Sequence, residues 1–332
     1  MATTSKEIRL VRRPNGPPQL DDFSLADVEL PDPGEGELLS RNAYVSVDPY
    51  MRGRMNDRKS YVAPFALDEP LTGGAVGQVV ASRNQRFAEG AWVCHDLGWR
   101  EAALSDGRGV RLVDPELAPV STALGVLGMT GLTAYVGLLD IGRPTAGETV
   151  FVSGAAGAVG SVVGQIAKLR GCRVIGSAGS DEKLAWLRDL GFDEVFDYRV
   201  TNAPEALREG IDVYFDNVGG PTLEAAISAL RTRGRVVACG AIAQYNATEP
   251  PAGPRNLFRV VTNRLRIEGF IVSDHNDRYG AFLSEMSGWV RDGSVRYRET
   301  VVDGVENAPS AFLGLLDGAN IGKMLVRVGP DA

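Results

Sequence analysis

The amino-acid sequence predicts an α/β protein of two parts, a doubly wound parallel sheet preceded by an irregular all-β domain. Three observations carry this reading. From Thr149 onward, near-continuous apolar runs alternate with helix-patterned segments, as strands buried on both faces and their crossover helices require. The first ~120 residues instead show short strand-like runs broken by turn formers, with little helical period. A glycine-rich turn, Gly154-Ala-Ala-Gly157-Ala-Val-Gly160, lies where the first apolar run passes into the first helix, the context that gives such glycines meaning.

In the first part, Glu37–Val47, Gly77–Ser82, Ala91–Cys94 and Glu101–Leu104 read as strands between PDPGEG, FAEG and SDGRG. Ala123–Leu139 is small and apolar with helix-like spacing. After the PTAG turn, strand and helix alternate: Thr149–Ser153 then Val159–Arg170, Cys172–Ser177 then Asp181–Leu190, Glu194–Tyr198 then Ala203–Glu209. Ile211–Asn217 then Thr222–Arg231 follow, with strands Arg235–Gly240 and Leu265–Val272 after them. Gly171, Gly191 and Gly234 each follow a helix, where a left-handed residue closes the last turn. Beyond a helix at Arg278–Val290 come strand-like Val295–Val302, a short helix near Pro309–Leu316 and a last strand Lys323–Val328. This tail has no place in a finished six-strand sheet, so it is expected to return to the β domain. The expected boundaries are 1–121 with 294–332 for the β domain and 122–293 for the parallel sheet.

Composition excludes several classes. The 332 residues carry 35 basic and 42 acidic side chains, a net charge of −7, so the chain has no general attraction for nucleic acid or anionic membrane. No run approaches the ~18 apolar residues of a membrane span, and Met1–Leu10 has no signal-peptide core. Cys94, Cys172 and Cys239 are far apart and odd in number, which argues against a disulfide framework and for a reducing cytoplasm. With only His95 and His275, and no CxxC, no metal site is expected. Cys94 adjoins His95, but a strand sends neighbours to opposite faces, so neither histidine has a companion that suggests a Ser–His or Cys–His pair and both read as structural or surface residues.

The glycine turn predicts a dinucleotide. Gly157 lets backbone approach a pyrophosphate, Gly160 lets helix and sheet pack closely, and the free N–H groups at the helix start attract phosphate. An NAD site places Asp or Glu at the tip of the second strand to hold the ribose hydroxyls. Here that tip is Ser177-Ala178-Gly179-Ser180, with no carboxylate. Lys183, one turn into the next helix, can reach back to a 2′-phosphate, and Tyr198 can add a hydroxyl. NADPH is the expected cofactor.

Longer motifs narrow this further. AAGAVGSVVGQIAKLRGCRVIGSAGSDEK, YFDNVGG and CGAIAQYN, with VDPYMR and GMTGLTAY before them and GANIGK near the end, resemble one zinc-free group of medium-chain dehydrogenases/reductases. It is the group related to leukotriene B4 12-hydroxydehydrogenase/prostaglandin reductase, which includes alkenal and curcumin reductases. The resemblance spans nearly the whole chain. It implies a GroES-like β domain completed by the tail, a Rossmann domain and a homodimer. It also implies that Gly157, Ala158, Val159 and Gly160 hold the pyrophosphate, and Lys183 and Tyr198 the 2′-phosphate. Asn217, Cys239, Gly240, Ala241, Ile242, Tyr245, Phe270, Ile271, Val272 and Asn320 would line the rest of NADPH, with Met129 and Thr133 beside the nicotinamide. Tyr50 and Tyr245 match the tyrosines at the substrate cleft. The loop from Tyr198 to Ile211, the stretch Asn56–Leu71 and the segment Ser273–His275 depart from the pattern, so the cofactor assignment carries over better than the substrate.

The activity so implied is reduction of the carbon–carbon double bond of α,β-unsaturated ketones and aldehydes. Hydride goes to the β-carbon while negative charge grows on the carbonyl oxygen, and a hydrogen-bond donor must stabilise it. Tyr245, beyond the fifth strand, is the first candidate and Tyr50 the second; Cys239 reads as a small apolar residue rather than a nucleophile. Two rival readings are an NADPH:quinone oxidoreductase of the same superfamily and a non-catalytic NADPH-binding protein. The intact Tyr245 loop counts against the latter.

Overall fold

The structure is a computed structural model that describes residues 3–330. It separates into two compact units. Met1–Gly125, Glu299–Asn320 and Met324–Ala332 form one, Val126–Arg298 and Ile321–Lys323 the other.

The first unit opens with a hairpin that the sequence reading misses, β1 (Thr3–Leu10) against β2 (Phe23–Leu30), antiparallel throughout. Its burial explains the omission. One face buries Ile8 and Leu10, while the other buries Ser5 and Glu7, polar residues that break any apolar pattern. Both are satisfied: Ser5 Oγ accepts from the Ala102 N–H at 3.0 Å, and Glu7 pairs with Arg9 at 2.7 Å. Next come β3 (Leu38–Ser46), the single turn α1 (Met51–Arg54), β4 (Ala75–Ser82), β5 (Trp92–His95), β6 (Ala102–Ser105) and β7 (Arg111–Leu112). Strand β3 is the spine, paired antiparallel to both β4 and β6. Trp99 fills the core beside Phe23, with its indole N–H donating to the Ser46 carbonyl at 3.0 Å.

The second unit holds a six-stranded parallel sheet: β8 (Thr149–Val152), β9 (Arg173–Ala178), β10 (Glu194–Asp197), β11 (Ile211–Asp216), β12 (Leu230–Ala238) and β13 (Arg266–Gly269). Their spatial order is β10-β9-β8-β11-β12-β13, the Rossmann order, which reverses between β8 and β11. Connecting helices are α2 (Met129–Val136), α3 (Ala158–Leu169), α4 (Asp181–Asp189), α5 (Ala203–Ala206), α6 (Gly220–Ala229), α7 (Phe258–Thr262) and α8 (Tyr279–Arg291). Strand β8 is buried along its whole length, and Phe151 stacks on Tyr214 and Phe196 at 5.0 and 5.8 Å.

Three expectations need correction. The apolar stretch Ala123–Leu139 is not one helix: a 3-10 turn (Val120–Leu124) breaks at Gly125 before α2, which passes into a wider π turn (Gly137–Gly142). Tight packing shapes the break, because a Cβ on Gly131 would stand 1.9 Å from the Val126 carbonyl oxygen. The helix read at Ala203–Glu209 is a single turn, ending at Ala206 before Gly210 (φ +82°) turns the chain into β11. Gly171 and Gly191 are left-handed as expected, but Gly234 is not; Arg233 takes φ +67° inside β12, with its N–H on the Asn263 carbonyl at 2.7 Å. Gly234 is there for space, since a Cβ would lie 2.6 Å from Leu230 Cδ2.

The tail adds β14 (Glu299–Asp303), α9 (Ala308–Leu316) and β15 (Lys323–Arg327). Strand β15 pairs antiparallel with β3, extending the first unit's sheet to the order β14-β15-β3-β4-β5-β7, and Phe312 of α9 meets Trp99 edge-on at 6.0 Å.

His95 is buried in this GroES-like unit. Its Nδ1 accepts from the Leu97 N–H at 3.2 Å, so the neutral ring carries its proton on Nε2, which donates to Ser40 Oγ at 3.0 Å. Burial first, then the charge of Arg100, lowers its pKa from 6.5 to about 4. The stability this contributes is full above pH 6.5 and is lost as pH falls toward 4, because the unfolded chain takes up a proton that the folded one refuses. Unfolding free energies measured from pH 7 to 4 should therefore fall by about 3 kcal/mol more in the wild type than in His95→Asn. Parallel pH profiles for the two proteins would refute this role.

Candidate functional site

The carboxyl ends of the parallel strands carry most of the candidate residues, and the turn after β8 is the most constrained. Gly154 takes φ +57°, so it makes the tight turn and Ala155 follows it into the interior. Gly157 caps α3 in an extended conformation, and a Cβ there would meet only the Gly154 oxygen, at 3.3 Å. A Cβ on Gly160 would lie 2.5 Å from that oxygen and 2.8 Å from Ala155 Cα, so α3 approaches the turn this closely only with glycine there. Ala158 and Val159 form the first turn of α3, whose unsatisfied N–H groups face outward along the helix axis. A short segment of the GANIGK motif walls the turn: the Gly322 N–H donates to the Ala156 carbonyl at 2.8 Å, and Gly322 bridges Gly157. Gly322 holds φ +68°, and a Cβ there would stand 1.9 Å from the Arg298 oxygen.

Beside this turn, at the reversal of strand order, lies a buried polar cluster that the sequence reading also misses. Tyr214, Ser153 and Asp216 read there as parts of apolar strands. Tyr214 Oη stands 2.6 Å from Asp216 Oδ1 and 2.9 Å from Ser153 Oγ. Having one proton, the phenol gives it to the carboxylate, and the serine hydroxyl donates to the phenol oxygen. Asp216 Oδ1 also accepts from the N–H groups of Val218 and Gly219 at 2.9 and 2.8 Å. Burial raises the Asp216 pKa against these bonds, and burial followed by the Asp216 charge raises that of Tyr214. Asn217 is fixed as a result: its N–H donates to Ser153 Oγ at 3.1 Å and its Nδ2 to the Ser153 carbonyl at 2.8 Å.

The loop after β12 is tied to the same cluster. The N–H groups of Cys239 and Gly240 both donate to the Asp216 main-chain oxygen at 3.0 Å, and that of Ile242 to Asn217 O at 3.2 Å. Burial, then Asp216, pushes the Cys239 thiol up to about 12, which fits an inert apolar side chain. Tyr245 ends the short turn Ile242–Gln244 and folds back, with its hydroxyl accepting from the Ala241 N–H at 3.4 Å. A Cβ on Gly240 would lie 3.2 Å from that hydroxyl, so Gly240 makes room for the ring. Strand β13 ends earlier than expected, at Gly269, which leaves Phe270, Ile271 and Val272 in the segment beyond its carboxyl end. Phe270 packs toward α2: a Cβ on Gly137 would meet both Phe270 Cζ and Phe215 Cε2 at 2.7 Å. On α2, Thr133 is buried with its hydroxyl donating to the Met129 carbonyl at 2.7 Å, while Met129 is 37% exposed.

At the other end of the sheet, Ala178 of β9 pairs in register with Asp197 of β10, which sets Gly179 beside Tyr198. A Cβ on Gly179 would stand 2.8 Å from Tyr198 Oη and 3.0 Å from Arg199 Nε. Glycine thus leaves a cradle open to a hydroxyl and a guanidinium. Ser180 caps α4 by accepting from the Lys183 N–H at 3.4 Å. Lys183 is half-buried, and burial followed by the charge of Arg199 holds its ammonium below the usual lysine range. The sequence reading names Lys183 and Tyr198 but not Arg199, which has the same signal: it sits one residue past a strand tip.

Tyr50 and Asn320 belong to the first unit. Asn320 is buried. Tyr50 precedes α1, and burial, then the Asp48 charge, raises its pKa, so its hydroxyl stays a neutral donor. Among the described residues, no group of three His, Cys, Asp or Glu side chains could hold a metal ion, and no helix is long and apolar enough to cross a membrane.

Two family profiles match the chain, one described as the N-terminal domain of oxidoreductase over residues 6–113, the other as zinc-binding dehydrogenase over residues 158–288. The NADPH-dependent curcumin reductase of Escherichia coli is 44% identical, covering 97% of this chain and 96% of its own. Prostaglandin reductase 1 of Rattus norvegicus is 46% identical, covering 94% and 95%. The crystal structure of CurA from Vibrio vulnificus in complex with NADPH superposes with a TM-score of 0.93 at 46% identity, over 98% of this chain and 99% of that one.

Proposed function

Because the chain belongs to the zinc-free medium-chain dehydrogenase/reductase family of the curcumin and prostaglandin reductases, we propose that it reduces the carbon–carbon double bond of α,β-unsaturated ketones and aldehydes with NADPH. The observation that carries the cofactor is the tip of β9. Gly179 leaves a cradle beside Tyr198, Lys183 stands one turn into α4, and no carboxylate occupies the tip where NAD would need one. These donors fit a 2′-phosphate. Gly157, Ala158, Val159 and Gly160 would hold the pyrophosphate at the start of α3. Asn217, the loop from Cys239 to Ile242, Phe270, Ile271, Val272, Asn320, Met129 and Thr133 would enclose the remainder.

When bound, NADPH supplies the hydride for the β-carbon. The chain's own part is to steady the carbonyl oxygen as charge grows on it. Tyr245 is the proposed donor: its phenol is on a loop anchored by Asp216, so it is held before the reaction rather than ordered during it. Tyr50, a neutral phenol in the other unit, is the second candidate. Enones fit better than saturated carbonyls, because a single tyrosine suits an enolate oxygen, which is less basic than an alkoxide.

A homodimer in the cytoplasm is part of this reading. Strand β13 is an edge of the parallel sheet with Ile267 exposed, and α7 just before it exposes Phe258 (74%) and Val261 (66%) beside Leu257. An apolar patch next to a sheet edge is a surface that a second copy would cover. Three free cysteines suit a reducing compartment.

Two outcomes check the reading. In sedimentation, the wild type should run at twice the monomer mass and the double variant Phe258→Glu, Val261→Glu at the monomer mass; a wild-type monomer would refute the dimer. Tyr245→Phe should lower kcat on the best enone by about 10- to 1,000-fold and move KM far less, since the bond strengthens mainly in the transition state. The rate to compare is single-turnover NADPH oxidation, and equality with wild type there would place the donor elsewhere.

A further inference from the structure

Arg199 has a position that no chemistry described so far uses. The parallel register Asp197↔Ala178 carries on past both strands, with the Tyr198 N–H donating to the Ala178 carbonyl at 3.2 Å. The next residue, Arg199, donates its own N–H to Asp197 Oδ1 at 2.8 Å, which turns the chain at the end of β10. Its side chain comes back toward Gly179: the guanidinium carbon lies 5.9 Å from the Tyr198 ring centroid, and Nε is 3.0 Å from where a Gly179 Cβ would be. Any side chain at 179 would fill the space that Tyr198 Oη and Arg199 share.

Lys183, half-buried one turn into α4, is the second cation near this strand tip. Burial, then the charge of Arg199, holds its ammonium below the usual lysine range, with the Glu182 carboxylate acting the other way. A ligand of double negative charge suits a tip that carries both an arginine and a lysine. A phosphate monoester is such a group, with about −1.5 to −2 charges at neutral pH. One lysine offers it a point charge, whereas a guanidinium adds a planar pair of donors matched to two phosphate oxygens.

We propose that Arg199 is a specificity-determining residue, the second cation of a phosphate-monoester site formed with Lys183, Tyr198 and the opening at Gly179. It selects NADPH over NADH. The inference rests on the NADPH reading above and assigns a discriminating role within it to a residue outside the glycine-turn and lysine signals.

Binding without turnover tests it. Adenosine 2′,5′-bisphosphate and adenosine 5′-monophosphate would be titrated calorimetrically into the full-length wild type, Arg199→Ala and Lys183→Ala. Thermal melts run alongside, and because Arg199 is exposed the variant should keep the wild-type melting temperature. Arg199→Ala should bind the bisphosphate about 10- to 100-fold more weakly, the loss of one charge-assisted contact, and the monophosphate within about twofold of wild type. Its bisphosphate affinity should also depend less steeply on salt. If Arg199→Ala binds the bisphosphate as wild type does while Lys183→Ala loses it, Arg199 is not part of the site and the cofactor reading stands. If the wild type itself fails to prefer the bisphosphate, the cofactor reading falls and this inference with it.

Discussion

Asp216 is a carboxylate carried into the interior at the point where the strand order reverses. Burying a charge there costs several kcal/mol unless its oxygens are satisfied. Three donors do this on one oxygen: the Tyr214 phenol and the N–H groups of Val218 and Gly219. The same residue's main-chain oxygen takes the N–H groups of Cys239 and Gly240. One residue thus holds the loop after β11 by its side chain and the loop after β12 by its backbone, with Asn217 locked between them on Ser153. Fully satisfied, such a buried network fixes a single arrangement; with one member missing it becomes a liability. The loop that carries the proposed oxyanion donor, Tyr245, is held by this anchor, and Ala241 and Gly240 on the loop itself seat the ring.

Local charge then runs against the overall charge. The chain carries a net −7, which gives an anionic cofactor no general attraction. Recognition has to be built locally, and the proposed points are two: the start of α3, where glycines clear the approach to backbone N–H groups, and the tip of β9, where Tyr198 and Arg199 adjoin Gly179 and Lys183 lies one turn into α4. The first is indifferent to which dinucleotide binds. In the proposed reading the second decides between them, which would make cofactor choice separable from cofactor binding. Cys239 and His95 show the complementary case of buried titratable groups pushed toward neutrality, the thiol up to about 12 and the imidazole down to about 4, which removes both from acid–base chemistry near neutral pH.

How much of this was legible in the sequence depended on range. Periodicity located the six parallel strands and the turn at Gly154–Gly160, because buried parallel strands are apolar runs and the glycines act within six residues of one another. It misjudged Gly234, since a glycine after a helix looks the same whether it is needed for a left-handed turn or, as here, to admit Leu230 Cδ2. It passed over β1, one face of which buries Ser5 and Glu7 on partners that are remote in the chain or lie on the same strand. The Ser153–Tyr214–Asp216 cluster was hidden for the same reason: 61 residues separate the serine from the tyrosine, and only the pairing of β8 with β11 brings them together. Arg199 was within reach, as it adjoins Tyr198, but nothing in the sequence alone turns its side chain toward Gly179.

The central claim is that this fold delivers hydride to the β-carbon of an enone while a hydroxyl steadies the carbonyl oxygen. The most direct measurement is product analysis after reduction of a simple aryl enone with NADPH deuterated at C4, using each of the two C4 epimers in turn. With one epimer, the account expects a saturated ketone with a single deuterium on the β-carbon, the α-carbon taking its proton from solvent. Deuterium on the carbonyl carbon of an allylic alcohol, with the double bond intact, would contradict it.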